Sequence, residues 1–274
     1  LRYYSLMFVF GFILGYRMFV WFFKREDKPV KLLDPLLYLL IGCTIVGARL
    51  GHCLFYEPSY YLANPSEILK VWHGGLASHG GTLGIMLAIW LYSRQVTHRS
   101  MLWTFDRLVV PVGFVGALIR IGNLMNHEIY GSPTDLPWGF RFIDNITQYM
   151  HGAAPVFTAP CHPTQLYEAA CYLVVFGVCM YMYWRRNDQE RPGLIFGVFM
   201  IGIFLSRFVI EYLKNVQEPW EIAMRADWGI DQGQLLSIPF VLLGLWLVVR
   251  AYCRPRVKLD YPDKFAPESK DNKK

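Results

Sequence analysis

Seven stretches of 17 to 21 residues carry almost no charge: 3–23, 36–55, 76–92, 108–125, 166–184, 194–213 and 235–252. About 20 apolar residues in a helix cross the hydrocarbon core of a bilayer, with a working range of roughly 17–25. A soluble domain has nowhere to put seven such segments. Of the 274 residues, 54% are hydrophobic and 18% charged, against about 25% charged in an average soluble domain. Residues 254–274 hold 11 of the 48 charged residues, so the body of the chain is poorer in charge still. Disorder is excluded outside that tail, and collagen-like, coiled-coil and small disulfide-scaffold folds fail on composition. The expectation is an all-α polytopic membrane protein of about seven transmembrane helices. Residues 1–253 would form one transmembrane domain and 254–274 a polar, disordered tail.

Lysine and arginine set the orientation, since they concentrate in cytoplasmic loops. Segments 24–35, 94–104, 185–192 and the tail from Arg250 hold 17 of the 27 basic residues, whereas 1–2, 56–75, 126–165 and 214–234 hold 5. The bias puts the N-terminus outside and the C-terminus in the cytoplasm. The net charge of +6 is thereby read as a topology signal rather than a nucleic-acid surface, for which a basic stripe on a folded domain is missing. The start at Leu1, without a Met, fits a processed or trimmed chain, and no small-residue cleavage site after the first span suggests a signal peptide.

The longest outer segment, 126–165, is rich in Gly and Pro and carries Tyr130, Trp138, Phe140 and Phe142. A loop of that length is usually functional, and its aromatics argue for a small ordered cap at the outer face. The six cysteines, at 43, 53, 161, 171, 179 and 253, form no C-x-x-C pair, which speaks against zinc or redox chemistry. Cys161 alone lies in an outer loop.

Ionisable groups within spans cost about 2.5–3.5 kcal/mol each at the helix centre on insertion scales, and they mark function more often than not. Arg120 and Asn123 can share one helix face, with Asn126 and Glu128 at the helix exit. An arginine beside two carboxamides offers many donors to a phosphate; the plain alternative is an arginine snorkelling to the interface. Arg207 and Glu211, four apart, can pair directly, as a site or as a structural ion pair. His79 opens the third span in His79-Gly80-Gly81 and is either a proton acceptor near neutral pH or a hydrogen-bonded structural group. His162-Pro163-Thr164-Gln165-Leu166-Tyr167-Glu168 opens the fifth span, with a ligand-facing first turn or simple N-capping by Thr164. Arg49, toward the outer half of the second span, joins such a cluster or braces it. Tyr4, His79, Arg120, His162 and Arg207 come from five spans, and the charge bias assigns all five to the outer side. That convergence points to a polar chamber reaching the outer leaflet.

At these residues the sequence resembles the bacterial prolipoprotein diacylglyceryl transferases. Their signature G-R-x-G-N-F-x-N-x-E-x-x-G is matched by residues 119–131, with Ile119 for the first Gly, Leu124 for the Phe, and the closing Gly kept as Gly131. The elements H-G-G, H-P-[ST]-Q-L-Y-E, R-x-x-x-E and Y-[GS]-L-M are matched at His79, His162–Glu168, Arg207–Glu211 and Tyr4, in family order. The family's short arm before the first span is mostly missing.

The resemblance implies an enzyme of the bacterial inner membrane with its active site toward the periplasmic leaflet. It would move the diacylglyceryl group of phosphatidylglycerol to the lipobox cysteine of a prolipoprotein signal peptide, forming a thioether and releasing glycerol phosphate. Critical roles fall on Tyr4, His79, Arg120, Asn123, Glu128, Arg207 and Glu211. The other matched positions, Asn126, Gly131, His162, Gln165, Tyr167 and Glu168, are expected to bind substrate. No cofactor or metal is expected. The chemistry agrees: a thiol of pKa near 8.5 is only a few per cent ionised at neutral pH, so a base such as His79 would help. The departing phosphate needs electrostatic stabilisation, which two arginines supply, with Glu211 holding Arg207. The alternatives are another phospholipid-using membrane transferase, or a transporter for an anionic lipid or metabolite. Neither the D-G-x-x-A-R motif of metal-dependent alcohol phosphotransferases nor an internal repeat is present.

Overall fold

The computed structural model describes residues 3–214 and 219–257, apart from the side chains of Tyr3, Tyr4, His73 and residues 219–223. The apolar stretches fold as helices: α1 (Tyr3–Arg25), α2 (Leu33–Phe55), then, after the short α3 (Pro58–Ala63), α4 (Ser78–Leu91) and α5 (Met101–Met125). After the short α6 (Ile146–Met150) come α7 (Thr164–Arg185), α8 (Leu194–Glu211), the connecting α9 (Pro219–Trp228) and α10 (Gln232–Tyr252). Six of them, α1, α2, α5, α7, α8 and α10, are long and apolar enough to cross a membrane. The third stretch differs from the rest: α4 has 14 residues and runs on as a π-helical turn, Tyr92–Thr97. No strand forms among the described residues; segment 126–165 is tied by isolated bridges instead.

By contact, the chain divides into two compact units, one of Val20–Phe105 and one of Asp106–Lys258 with the first 19 residues. In the Val20–Phe105 unit, α2 and α4 meet through glycines spaced four apart on each helix, Gly47 and Gly51 against Gly80 and Gly84. A Cβ at Gly51 would sit 2.8 Å from the Gly80 Cα. Such small-residue seams let helix backbones touch where lipid offers no hydrophobic drive for association. Gly80 of the His-Gly-Gly element is therefore occupied by helix packing. Arg49 is 3% exposed and braces the 67–75 loop: its guanidinium donates to the carbonyls of Glu67, Ile68, Gly74 and Gly75 and lies 5.1 Å from the Tyr61 ring.

In the other unit α8 pairs with α10 through Gly197 and Gly244, where a Cβ on either would lie 2.8 Å from the other's carbonyl oxygen. The buried carboxylate of Asp106 on α5 caps α8 from outside, accepting from Gly193 N at 2.7 Å and Phe196 N at 2.9 Å. Those amides would otherwise be orphaned at the helix start. α10 opens with a reciprocal capping box between Asp231 and Gln234, and Gln234 Nε2 reaches the Phe208 carbonyl on α8 at 3.1 Å. The tail begins docked: Val257 N donates to the Glu190 carbonyl at 2.8 Å, and Arg256 approaches Glu190 at 3.6 Å and Asp188 at 3.9 Å. Burial raises the Asp188 pKa against the opposing pull of Arg186, Arg256 and Arg191. The expectation of disorder for the remaining tail, 258–274, lies outside the described residues.

Candidate active site

The signature stretch leaves α5 through a strained turn. His127 and Ile129 both adopt positive φ, 57° and 59°, a region that costs about 1–3 kcal/mol for a non-glycine residue and suits a β-branched one worst. The turn persists because α7 grips both flanking carbonyls. Gln165 Nε2 donates to the Glu128 carbonyl at 2.6 Å and Thr164 Oγ1 to the Ile129 carbonyl at 3.0 Å. Thr164 and Gln165 are fully buried. Thr164 therefore does not cap α7, which has no side-chain cap; its hydroxyl holds the neighbouring loop.

That turn points the Glu128 side chain back at α5. Asn126 Nδ2 donates to Glu128 Oε1 at 2.8 Å and Asn123 Nδ2 to Oε2 at 3.4 Å. A carboxylate flanked by two carboxamides presents both acceptors and donors, which suits hydroxyl groups. Gln165 Oε1 is a buried acceptor with no hydrogen-bond partner among the described residues.

Below this lies a ladder of alternating charge. Arg120 Nε is 3.0 Å from Glu168 Oε2, Lys214 Nζ is 3.0 Å from Glu168 Oε1, and Lys214 Nζ is 3.2 Å from Glu211 Oε2. Glu168 is fully buried, and a carboxylate there needs both cations to offset its lost hydration. With both oxygens engaged, Glu168 orients two cations and has little capacity left for a ligand. Glu168 takes the Nε edge of Arg120, whose Cζ lies 5.9 Å from the Tyr172 ring. The terminal amino groups are the part of the fork that can meet a phosphate. Glu211 in turn rests on the start of α10: a Cβ at Gly233 would fall 2.6 Å from its Cδ.

The expected Arg207–Glu211 pair does not form; among the described residues no ion pair joins them, and Glu211 meets Lys214 instead. Lys214 is the residue that sequence reasoning missed. It was counted as an outer-loop charge, although its position three after Glu211 was a usable signal.

The 126–165 segment is an ordered arm. Gly131 N donates to the His162 carbonyl at 2.9 Å and Ser132 N to the Leu213 carbonyl at 2.8 Å. Phe140 and Cys161 exchange backbone hydrogen bonds at 2.9 and 2.8 Å. Tyr167 accepts from Trp138 Nε1 at 2.9 Å and lies 3.4 Å from His162 Nδ1. The Tyr130 ring stacks on Phe142, centroids 4.7 Å apart, and its hydroxyl donates to Asp144 at 2.9 Å. Burial and then that bond push the Tyr130 pKa up to about 12, so it stays a donor.

The structure thus gathers the expected residues into three contact groups: Arg120, Glu168 and Glu211 linked through Lys214, then Asn123, Asn126, Glu128 and Gln165, and then Gly131, His162 and Tyr167. Arg207 stands on α8 one turn before Glu211. His79 belongs to the Val20–Phe105 unit, where its exposed ring is flanked by Phe55 at 5.6 Å and Tyr56 at 5.7 Å. The Tyr4 side chain lies outside the described residues.

Residues 1–250 match the family described as prolipoprotein diacylglyceryl transferase. The chain belongs to that family. A phosphatidylglycerol–prolipoprotein diacylglyceryl transferase of Porphyromonas gingivalis is 56% identical over 255 residues, covering 92% of this chain and 89% of the relative. The protein of that name from Tolumonas auensis is 45% identical, covering 90% of each chain. One from Bacteroides fragilis is 36% identical over 90% of this chain and 88% of its own length. The prolipoprotein diacylglyceryl transferase match takes in the arm, the charge ladder and all of the candidate spans but the last two residues of α10.

Proposed function

We propose that this protein is a phosphatidylglycerol–prolipoprotein diacylglyceryl transferase, carrying out the first step of bacterial lipoprotein maturation. The observation that carries the reading is the Arg120–Glu168–Lys214–Glu211 ladder beside the Asn123–Asn126–Glu128 group. It sets a cationic anchor next to a hydroxyl-binding group, as a glycerophosphate requires. Family membership supports the same substrates.

In the reaction the lipobox thiol loses its proton to a base, and the sulfur attacks the diacylglyceryl carbon. The C–S bond forms as the C–O bond to phosphate breaks, and glycerol phosphate departs with the electron pair. Arg120 and Arg207 stabilise the charge gathering on the phosphate oxygens. Glu168 and Tyr172 keep Arg120 oriented. Glu211 holds Lys214, and Asn123, Asn126, Glu128 and Gln165 bind the glycerol hydroxyls. His162 and Tyr167 hold the arm through Gly131. His79 is the proposed base, with Tyr4 assisting. The nucleophile belongs to the substrate peptide, so no enzyme cysteine takes part.

A seventh span is part of the proposal. α4 and its π turn together cover 20 residues, 78–97, roughly 30 Å at 1.5 Å per residue. With seven spans the basic-residue bias sets the N-terminus outside, the C-terminus in the cytoplasm and the site toward the outer leaflet of the inner membrane.

The test is purified, reconstituted enzyme incubated with phosphatidylglycerol and a lipobox peptide. Thioether-linked diacylglyceryl peptide with stoichiometric glycerol phosphate is expected. Transfer of an acyl or phosphatidyl group, or lipid movement without peptide modification, would replace the proposal with one of its rivals.

A further inference from the structure

The signature matched by residues 119–131 leaves position 127 open, and this chain places a histidine there, between Asn126 and Glu128. Its φ of 57° is left-handed, a region that histidine enters more readily than most side chains with a Cβ. Neighbouring side chains on this turn have different destinations. Glu128 goes back to Asn123 and Asn126, whereas His127 goes to the arm. There Ile143 N donates to His127 Nδ1 at 3.1 Å, and the His127 ring meets Phe142 edge to face, centroids 5.9 Å apart. The other face of the turn reaches the same place: Tyr130 stacks on Phe142 and donates to Asp144. Residues on both sides of the Glu128–Ile129 pair thus fasten the arm at 142–144.

The three arm amides at that place each have an acceptor. Phe142 N donates to Thr158 Oγ1 at 3.0 Å and Asp144 N to the Val156 carbonyl at 2.8 Å, both within the arm. The middle amide, Ile143 N, takes its acceptor from the turn that carries Glu128. A turn with two left-handed residues in three persists only where its surroundings hold it. α7 holds the Glu128 and Ile129 carbonyls, and the arm holds the side chain of the residue before them. We infer that His127 is a positioning residue for Glu128: its bond to Ile143 locks the arm to the turn and so presets the carboxylate for the lipid headgroup. The inference rests on the proposed transferase activity and on the place given there to Glu128. A lipid that needs Glu128 in one position binds in proportion to the fraction of molecules that already have it there.

The experiment compares two variants of the full chain with the wild type. His127→Gly relieves the left-handed backbone but removes the acceptor. His127→Asn also tolerates that backbone, and its Oδ1 stands at the same branch of the side chain as the histidine Nδ1. The readouts are KM and kcat with phosphatidylglycerol and a lipobox peptide, and amide hydrogen exchange of the segment holding Ile143. In His127→Gly the KM for phosphatidylglycerol should rise about fivefold, the scale of one net hydrogen bond. The peptide KM and kcat should stay near wild type, because Arg120 and Arg207 are untouched, and exchange at Ile143 should quicken. His127→Asn should restore the lipid KM and the slow exchange. A merely structural role would lower the folded fraction, and with it the apparent kcat, without moving the lipid KM. A wild-type lipid KM in His127→Gly would overturn the inference, since the turn would then need only backbone freedom. So would a raised KM that His127→Asn does not restore, which would credit ring packing on Phe142 instead of the acceptor. Absence of transfer by the wild type would remove the transferase reading and this inference with it, whereas normal wild-type transfer with either of the preceding results removes this inference alone.

Discussion

Arg120 Nε lies 3.0 Å from Glu168 Oε2, and the other oxygen of the same buried carboxylate lies 3.0 Å from Lys214 Nζ. One carboxylate thus fixes two cations from different parts of the chain. Arg120→Lys keeps the charge but not the division of labour. Its single ammonium would be captured by Glu168, leaving nothing shaped to grip two phosphate oxygens. The expected loss is about 10²–10³ in kcat, the scale for removing one preorganised charge donor, measured as initial rate with a lipobox peptide. Near-normal turnover would mean that Arg120 supplies only general positive potential.

Gly131→Ala should disable the enzyme by loosening the arm. A Cβ there would fall 2.5 Å from the Leu213 carbonyl oxygen and 2.8 Å from both His162 Cβ and Thr164 Cγ2. Two backbone segments would have to part, at about 1–3 kcal/mol. Gly152→Ala is the control: its φ of +95° strains an alanine, but nothing lies within 4 Å. It should keep activity with a small loss of thermal stability. Equal activity in both variants would show that the arm's attachment does not matter to turnover.

Cys161→Ser should retain activity. Cys161 is 3% exposed, and its Sγ lies 3.3 Å from the Ala159 carbonyl, which a serine hydroxyl can also reach. The attacking thiol comes from the peptide, so none is needed on the enzyme. An inactive variant with normal thermal stability would point to a covalent enzyme intermediate.

His79→Gln tests the base. The substitution keeps hydrogen-bonding capacity and removes the proton acceptor, so the rate at neutral pH should fall by about 10²–10⁴. The variant should recover as pH rises toward the thiol's own pKa, about 8.5, because hydroxide then forms the thiolate that the imidazole no longer makes. The wild type should respond less over that window. Rates between about pH 6.5 and 9.5, with lipid binding measured in parallel, check this. A variant that binds lipid but is inactive at every pH would make His79 a positioning group and turn attention to Tyr4 and Glu128.

Much of the architecture was legible because bilayer spanning is a property of contiguous sequence. Length and hydropathy alone set out the helices, and six are long and apolar enough to cross a membrane. The 126–165 arm followed from its length and aromatics, and its Phe140–Cys161 pairing shows it ordered. Candidate residues were visible too, because a charge inside an apolar stretch stands out without any three-dimensional information. Which charge meets which was not visible. Spacing made Arg207 and Glu211 partners, yet Glu211 pairs with Lys214, which looked like an ordinary loop lysine. Thr164 looked like a helix cap, yet it holds the Ile129 carbonyl in a strained turn. Periodicity along one helix constrains neighbours on that helix. An ion pair, or the grip on a strained carbonyl, depends on how separate helices pack, and only the tertiary structure decides that.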